Sequence, residues 1–255
     1  MERAKQLIVQ GYEWVIRGDI TNCFPSMNGE AVLAMLPGPR AVLGQVLLPP
    51  PMECISYPYG YALHTLKARQ GLPPGAASTP LVAAAALAPV LDELPDGAVA
   101  ILYVDDFAIF VSSKAAAVNT MNALREALWA APVGDLQLKF CNIHHVAEGF
   151  GFLGYHIFRN AGGGVTARPR QAALEKLYDQ LEAVNPGTSA YPLRDKLNKA
   201  ISWRCAYAAW EGGDDLTEDV LYVVLSDHFP VEHLEEFIEF LHFKAQITRE
   251  KCLPA

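Results

Sequence analysis

The chain has 255 residues, 51% hydrophobic and 19% charged, so it can bury the core of one large domain or of a domain with a small appendage. This composition excludes wholesale disorder, and the net charge of −8 argues against a general nucleic-acid coating, so nucleic-acid binding would need a local basic face. Five scattered cysteines without a CxxC pair argue against a disulfide framework or zinc site. With no signal peptide and no apolar run of about 20 residues, we expect a cytoplasmic protein without a membrane partner.

The first third of the chain alternates between helical and extended patterns. Residues 4–16 read as a short helix that runs into a strand, EWVIRGDI, and NGEAVLAML (28–36) reads as a second helix. A Pro/Gly-rich connection is expected from Pro37 to Pro58.

The middle of the chain predicts a helix, a hairpin and another helix. In STPLVAAAALAPVLDEL (78–94), Thr79 can cap the helix and Pro80 suits its first position. A hairpin centred near Val104–Asp106 follows, and then an amphipathic helix over roughly 114–131.

The last part of the chain changes periodicity. LQLKF and FGFLGYHIF are strand-like, and NAGGGV is a turn. From Pro169 onward the pattern is helical, which predicts an α+β body over 1–165 followed by a helical region over 166–255. The helical pieces are expected near 169–184, 192–211, 215–226 and 231–250.

Two adjacent aspartates, Asp105 and Asp106, lie between apolar runs in ILYVDDFAIF, and Asp19 ends another strand-like run. If these strands are neighbours, Asp19 and Asp105 could share one pocket, where like charges are unfavourable unless one is protonated or a cation neutralises them. Oxygen ligands favour Mg²⁺ or Mn²⁺, and two such ions about 4 Å apart would clamp a phosphoryl transfer. On these residues alone, a simple turn remains an equal alternative.

Four stretches in order change that balance: DITNCFPSM, QGLPPGAASTPL, LYVDDFAIF and FGFLGYHI. Their succession resembles the reverse transcriptases, particularly the bacterial group II intron-like enzymes, over roughly residues 4–210. LRDKLNKAISWRCAYAAW (193–210) is similar to the region where the thumb of those proteins begins. The resemblance implies a right-hand polymerase palm, which is an antiparallel sheet backed by helices, followed by a helical thumb-like region.

The resemblance also implies catalytic roles. Asp19 and Asp105 would hold two Mg²⁺ or Mn²⁺ ions with help from the backbone carbonyl of Ile20, and Asp106 would support the site. The ions would lower the pKa of the primer 3′-hydroxyl and neutralise the leaving pyrophosphate.

The nucleotide site would involve residues from three of the motifs. Phe24, five residues after Asp19, would close against the sugar C2′ and favour deoxynucleotides, although a core Phe is the alternative. Tyr103 would lie beneath the primer end, although a tyrosine in a strand is more often a packing residue. Gly75 would let the backbone approach the nucleotide, and Pro74 occupies the usual glutamine position of the loop.

Nucleic acid would be contacted by the Phe152, Leu153 and Gly154 turn and by a local basic face. Residues 168–204 carry seven basic side chains against four acidic ones, although ordinary helix solvation explains them equally well. The seven are Arg168, Arg170, Lys176, Arg194, Lys196, Lys199 and Arg204; we assign nucleic-acid binding to Arg168, Arg170, Lys196 and Lys199.

Three departures from the family pattern concern substrate handling. Only 18 residues precede Asp19, so most of the fingers are absent, and we expect a truncated or split protein, with a second polypeptide as a possible source of fingers. Pro74 removes a side-chain donor near the nucleotide. Asn142 stands where the family usually has a proton-donating lysine, with His144 nearby as an unproven substitute.

Two hypotheses follow. The first is an RNA-directed DNA polymerase that uses an RNA template, a DNA primer and dNTPs, in a mobile-element, CRISPR-linked or phage-defence setting. The second is a nucleic-acid-binding or assembly module that keeps a palm but has little activity on its own. A viral RNA-dependent RNA polymerase is disfavoured, because Val104 replaces the glycine of its usual hairpin.

Overall fold

A computed structural model describes residues 1–48, 71–72, 77–210 and 215–252. By contact pattern the chain forms two compact units. The central unit is Tyr12–His144, and the terminal unit joins Met1–Gly11 to His145–Ala255. The boundary expected near residue 165 falls at the start of a strand inside the terminal unit, so the contacts divide the chain at residues 11 and 144 instead.

The described elements follow one another in chain order as α1 (Glu2–Val9), β1 (Trp14–Ile20), α2 (Cys23–Ser26), α3 (Gly29–Met35), α4 (Arg40–Leu47), α5 (Thr79–Asp92), β2 (Val99–Tyr103), β3 (Asp106–Val111), α6 (Lys114–Trp129), β4 (Leu138–His145), β5 (Phe150–Phe152), β6 (Tyr155–Arg159), β7 (Val165–Pro169), α7 (Gln171–Glu182), α8 (Pro192–Ala206), α9 (Asp215–Ser226) and α10 (Val231–Cys252).

The central unit contains a four-stranded sheet with strand order β2-β3-β1-β4. Its chain order is β1–α5–β2–β3–α6–β4, with α2 to α4 inserted after β1, which is the split βαβ arrangement of ferredoxin-like folds. Helices α5 and α6 contact each other and the sheet. Ile16 and Ile20 of β1 belong to the main core cluster, together with Phe107 and Ile109 of β3. By strand alternation, Arg17, Asp19 and Asp106 therefore lie on the other face.

The terminal unit combines a three-stranded antiparallel sheet, order β5-β6-β7, with helices. Helix α8 packs against α7 and α10, α9 packs against α7 and α10, and α1 contacts β7. The helices expected from the periodicity after residue 169 are confirmed to within a few residues, except that α8 ends at Ala206. The α+β class with antiparallel sheets is thus observed.

Two details of the predicted elements are wrong. Helix α4 (Arg40–Leu47) lies within the connection expected from Pro37 to Pro58, because the helix places Leu43 and Leu47 against the core cluster. Thr79 is the first residue of α5 and is buried, so it is not the cap; Ser78 holds that position without a side-chain hydrogen bond. Within the described ranges, none of the helices combines the length and apolar character that a bilayer crossing requires.

Candidate functional site

The register of the central sheet brings three aspartates together. Strands β1 and β3 are antiparallel, with Asp19 directly opposite Asp106. Directly opposed residues have Cβ atoms about 5 Å apart. Val104 and Asp105 form the two-residue turn between Tyr103 and Asp106. The expectation that the two aspartate-bearing strands are neighbours is therefore confirmed.

Arg17 fixes the position of Asp106. Its Nη1 donates to the Asp106 carboxylate and to the carbonyl oxygens of Phe107 (2.8 Å) and Gly18 (3.2 Å). The arginine is buried and lies diagonally across the strand pair from Asp106. Because a buried guanidinium engages this carboxylate, Asp106 is a paired carboxylate and not a free one.

Lys139, on the neighbouring strand β4, forms an ion pair with Asp19 (Nζ to Oδ2, 3.2 Å). The lysine side chain is 67% exposed, so solvent weakens this pair. Asp105 forms no ion pair with any residue that the structure describes. Three carboxylates thus face two cations, and the expectation of an uncompensated cluster holds only in part. Sequence reasoning missed Lys139, because its place beside Asp19 comes from strand pairing.

The negative charge of this cluster affects the pKa values of two groups, Asp106 and Cys23. Burial raises the pKa of Asp106; the charges of Asp19 and Asp105 add to this effect, and Arg17 opposes it. Burial, with the same two carboxylates, raises the pKa of the Cys23 thiol to about 12. Cys23 therefore stays neutral, and both Asp19 and Asp105 lie close enough to act electrostatically on the same groups.

The beginning of the QGLPPG stretch contacts the segment after Asp19. A Cβ on Gly71 would lie 2.5 Å from the Pro25 carbonyl oxygen and 2.6 Å from that of Phe24, so only glycine permits this approach. The Leu72 N–H donates to the Phe24 carbonyl (2.9 Å). Two of the four motif stretches therefore meet; Pro74 and Gly75, assigned to nucleotide binding, lie outside the described residues.

The structure distinguishes the other proposed nucleotide contacts by exposure. Tyr103 is 61% exposed at the end of β2, so it is not a packing residue. Phe24 is half-buried and packs against the core cluster, which fits both the sugar-gate and the core interpretation. The Ile20 side chain is buried in the core, so this residue could offer a ligand only through its backbone.

Backbone strain coincides with the motifs. Among the described residues, the non-glycine residues with positive φ are Asn22 (46°), Val104 (64°) and Leu153 (50°). Each lies within one of the motif stretches, and Val104 is β-branched, for which this conformation is unfavourable. Strained backbone of this kind concentrates at functional sites, so the conformation of Val104 supports a functional role for the stretch that contains Asp105.

The donor set suits a hard cation. No group of three or more His, Cys, Asp or Glu side chains within the described ranges is arranged to hold a metal ion. Asp19, Asp105 and the Ile20 carbonyl would supply two carboxylates and one backbone oxygen, which falls below that count. Oxygen donors of this kind fit Mg²⁺ or Mn²⁺ with water or substrate oxygens completing the coordination shell.

In the terminal unit, Leu153 and Gly154 form the turn of the β5–β6 hairpin, and Phe152 is the last residue of β5. The Phe152 ring is only 1% exposed and packs in the core. Leu153 and Gly154 both have positive φ, as a two-residue type I′ turn requires. Contact with nucleic acid at this hairpin would therefore come from the turn residues and not from the Phe152 ring.

The expected basic face is only partly accessible. Arg204 is 2% exposed and donates to the carbonyls of Tyr207 (2.5 Å) and Trp210 (2.7 Å), so it is a core residue and its inclusion in that face was wrong. Lys196 is half-buried, and its Nζ is hydrogen-bonded to Nδ1 of the His228 ring (3.1 Å). Lys199 is half-buried on α8.

Arg168 and Arg170 remain accessible next to the Leu153–Gly154 turn. Arg168 is half-buried on β7, whereas Arg170 is exposed at the beginning of α7. The Arg170 N–H donates to the Gly154 carbonyl (3.1 Å). These two arginines and the turn therefore form one continuous part of the terminal unit.

Comparison with known proteins gives no assignment: no protein-family model matches the chain, and a search of curated proteins finds no match.

Proposed function

We propose that this protein is a template-directed nucleotidyltransferase of the reverse-transcriptase type, which adds dNTPs to a DNA primer on an RNA template. The observation that carries the proposal is the opposition of Asp19 and Asp106 across β1 and β3, with Asp105 at the adjoining turn. It supports one acidic centre built from motifs that are almost 90 residues apart in sequence. The split βαβ sheet is compatible with a palm.

Within this proposal, each polar residue of the centre has a distinct task. Asp19, Asp105 and the Ile20 carbonyl would hold Mg²⁺ or Mn²⁺, which when bound lowers the pKa of the attacking hydroxyl and stabilises charge on the leaving pyrophosphate. Arg17 holds Asp106 in place and so supports the turn that presents Asp105. Lys139 lowers the repulsion at Asp19 while the carboxylates are otherwise unoccupied.

The reaction would be an in-line attack of the primer 3′-oxygen on the α-phosphorus of the dNTP. A P–O bond forms to the primer, the bond from the α-phosphorus to pyrophosphate breaks, and the proton of the 3′-hydroxyl passes to water. Phe24 would lie against C2′ of the incoming nucleotide and exclude a ribose hydroxyl, which makes DNA the product.

A second candidate is a nucleic-acid-binding or assembly module with little activity on its own. The Lys139–Asp19 ion pair favours it, because a protein cation already occupies part of the space next to this carboxylate. Under this hypothesis the acidic centre is structural, and neutralising Asp105 would relieve repulsion instead of removing a function.

The test compares wild type, Asp105→Ala and the control Glu126→Ala, which removes an exposed acid from α6 of the same unit. Mn²⁺ affinity is measured by calorimetry, and primer extension is measured on an RNA template with dNTPs. We expect Asp105→Ala to abolish Mn²⁺ binding and to reduce extension by at least about 100-fold, with Glu126→Ala unchanged. Unchanged Mn²⁺ affinity in Asp105→Ala would count decisively against the enzyme. Nucleic-acid binding without Mn²⁺ binding or extension in wild type would favour the module.

A further inference from the structure

The terminal unit contains a groove of about 490 Å³ at the junction of its sheet with α7. His156 of β6, Arg168 of β7 and Arg170 at the beginning of α7 line it, and Gln171 adds an amide. Leu174 contributes an apolar wall. The polar lining is therefore basic or neutral, although the chain as a whole carries a net charge of −8.

Neither arginine of the groove is neutralised by the protein. Arg168 and Arg170 form no ion pair with a carboxylate in the described part of the chain. Arg168 lies over the Phe158 ring (5.3 Å to the ring centroid), which holds its planar group in place. The His156 ring lies 5.4 Å from the same aromatic ring, centroid to centroid. Positive groups gathered without a counter-charge repel one another unless an anion lies between them.

The local backbone also favours an anion. Helix α7 has 12 residues, and no side chain caps its N-terminus, where Arg170 holds the capping position. The N–H groups of its first turn therefore have no side-chain acceptor from a cap. The positive end of the helix dipole lies at the groove. The hydrogen bond from the Arg170 N–H to Gly154 fixes this corner of the groove to the β5–β6 turn.

We propose that this groove is a phosphate-binding site in which Arg168 and Arg170 hold one phosphate group and His156 completes the pocket. A guanidinium group binds two phosphate oxygens through a pair of parallel hydrogen bonds, whereas a lysine ammonium group acts as a point charge. Two arginines therefore suit a phosphate ligand better than two lysines would. The phosphate belongs either to a nucleic-acid backbone or to a free anion. The backbone source rests on the proposed function, whereas the phosphate chemistry does not.

The first experiment follows the His156 ring by proton NMR, with the His156→Gln variant assigning its resonance. Burial, Arg168 and Arg170 lower the pKa of His156 in the protein without ligand. A bound anion opposes these charges, so inorganic phosphate at millimolar concentration should raise this pKa. The double variant R168Q/R170Q should weaken phosphate binding roughly tenfold or more. Lys244→Gln removes one charge from α10, where Lys244 lies over Phe240, and serves as the matched control.

The second experiment replaces inorganic phosphate with a single-stranded oligonucleotide and repeats the measurement in the Asp105→Ala background. If the phosphate is part of a backbone, the oligonucleotide shifts the His156 resonance. R168Q/R170Q should then lower the slope of log affinity against log salt by about 0.7, because the variant neutralises one phosphate fewer. Asp105→Ala should keep the shift of the His156 resonance even where it loses Mn²⁺ binding and extension, so failure of the polymerase and failure of the groove are separable.

The outcomes decide both the site and its source. A response to phosphate and oligonucleotide, abolished in R168Q/R170Q and kept in Lys244→Gln, supports a backbone phosphate. A response to inorganic phosphate alone supports the site and assigns it to a free anion. No shift of His156 with either probe, or a shift that R168Q/R170Q leaves unchanged, overturns the proposal.

Discussion

The two units each contain a hairpin with a two-residue turn, and the two turns are built differently. At the β5–β6 turn, Leu153 and Gly154 both have positive φ, and glycine takes the second position without strain. At the β2–β3 turn, the strained residue is Val104, with Asp105 beside it. The first turn follows from local sequence preference. The second places a β-branched residue in an unfavourable conformation, so it needs contacts from the rest of its unit.

Among the described residues, each unit also buries one arginine, and the partners of the two arginines differ. Arg17 of the central unit meets the Asp106 carboxylate. Arg204 of the terminal unit meets two carbonyls and His242 Nδ1 (2.9 Å), and burial lowers its pKa to about 10. The central unit therefore gathers opposite charges around its turn, whereas the terminal unit surrounds its charge with neutral acceptors. Only the first arrangement includes a carboxylate.

The largest expected effect concerns the charged pair. Arg17→Met should destabilise the central unit by about 3 kcal/mol, because the half-buried Asp106 carboxylate loses the buried cation that pairs with it. The measurement is the free energy of unfolding in urea. Arg40→Met, which breaks the exposed pair with Glu30, is the matched control and should leave this free energy nearly unchanged. Equal effects of the two variants would show that the Arg17–Asp106 pair is not special.

The neutral network of the terminal unit should respond to pH. Burial and Arg204 lower the pKa of His242 to about 4, below the ordinary value of 6.5. The folded protein therefore favours the neutral His242 ring. The free energy of unfolding that this preference adds is present above pH 6.5 and is lost as the pH falls toward 4, by up to about 3 kcal/mol. Unfolding free energies of wild type and His242→Gln should converge over that range. The exposed His233→Gln is the control.

A slope that stays the same in His242→Gln would assign the pH dependence elsewhere, with His228 the next group to test, since burial lowers its pKa as well.

A substitution at Phe24 tests the proposal that the central unit binds a nucleotide. Phe24→Val should open space at C2′ and reduce discrimination against ribonucleotides by about 1–3 kcal/mol, or roughly 10- to 200-fold. The ratio of dNTP to rNTP incorporation in primer extension measures it, and Mn²⁺ affinity should not change. If extension is detectable and the ratio stays constant, Phe24 is a core residue.

The smallest effect compares the two turns directly. Val104→Gly should stabilise the protein by about 0.5–1 kcal/mol, because relief of strain exceeds the added chain entropy. Gly154→Ala should destabilise it, since φ is +84° and the new Cβ would lie 2.8 Å from the Tyr207 hydroxyl. Thermal midpoints measure both changes. A lower midpoint for Val104→Gly would mean that the valine side chain contributes more than its strained backbone costs.

Much of the local structure was predictable from the sequence. The helices after residue 169, the hairpin at Asp105 and the α+β class all follow from hydrophobic period and turn residues, which act over a few neighbouring positions. The burial of Arg204 was not predictable from the sequence. The helical pattern of α8 does not reveal that Arg204 is surrounded by backbone carbonyls and the His242 imidazole in the folded chain.

The residues that could form an acidic centre were evident from the sequence, since Asp19 lies near the end of a run that becomes β1 and Asp105 comes after the run that becomes β2. Only the tertiary structure decided that Asp19 lies opposite Asp106, that Arg17 holds this carboxylate, and that Lys139 reaches Asp19. The physical reason is that strand register and strand order depend on the packing of distant segments. The charge balance of a site is the sum over all the strands that meet there.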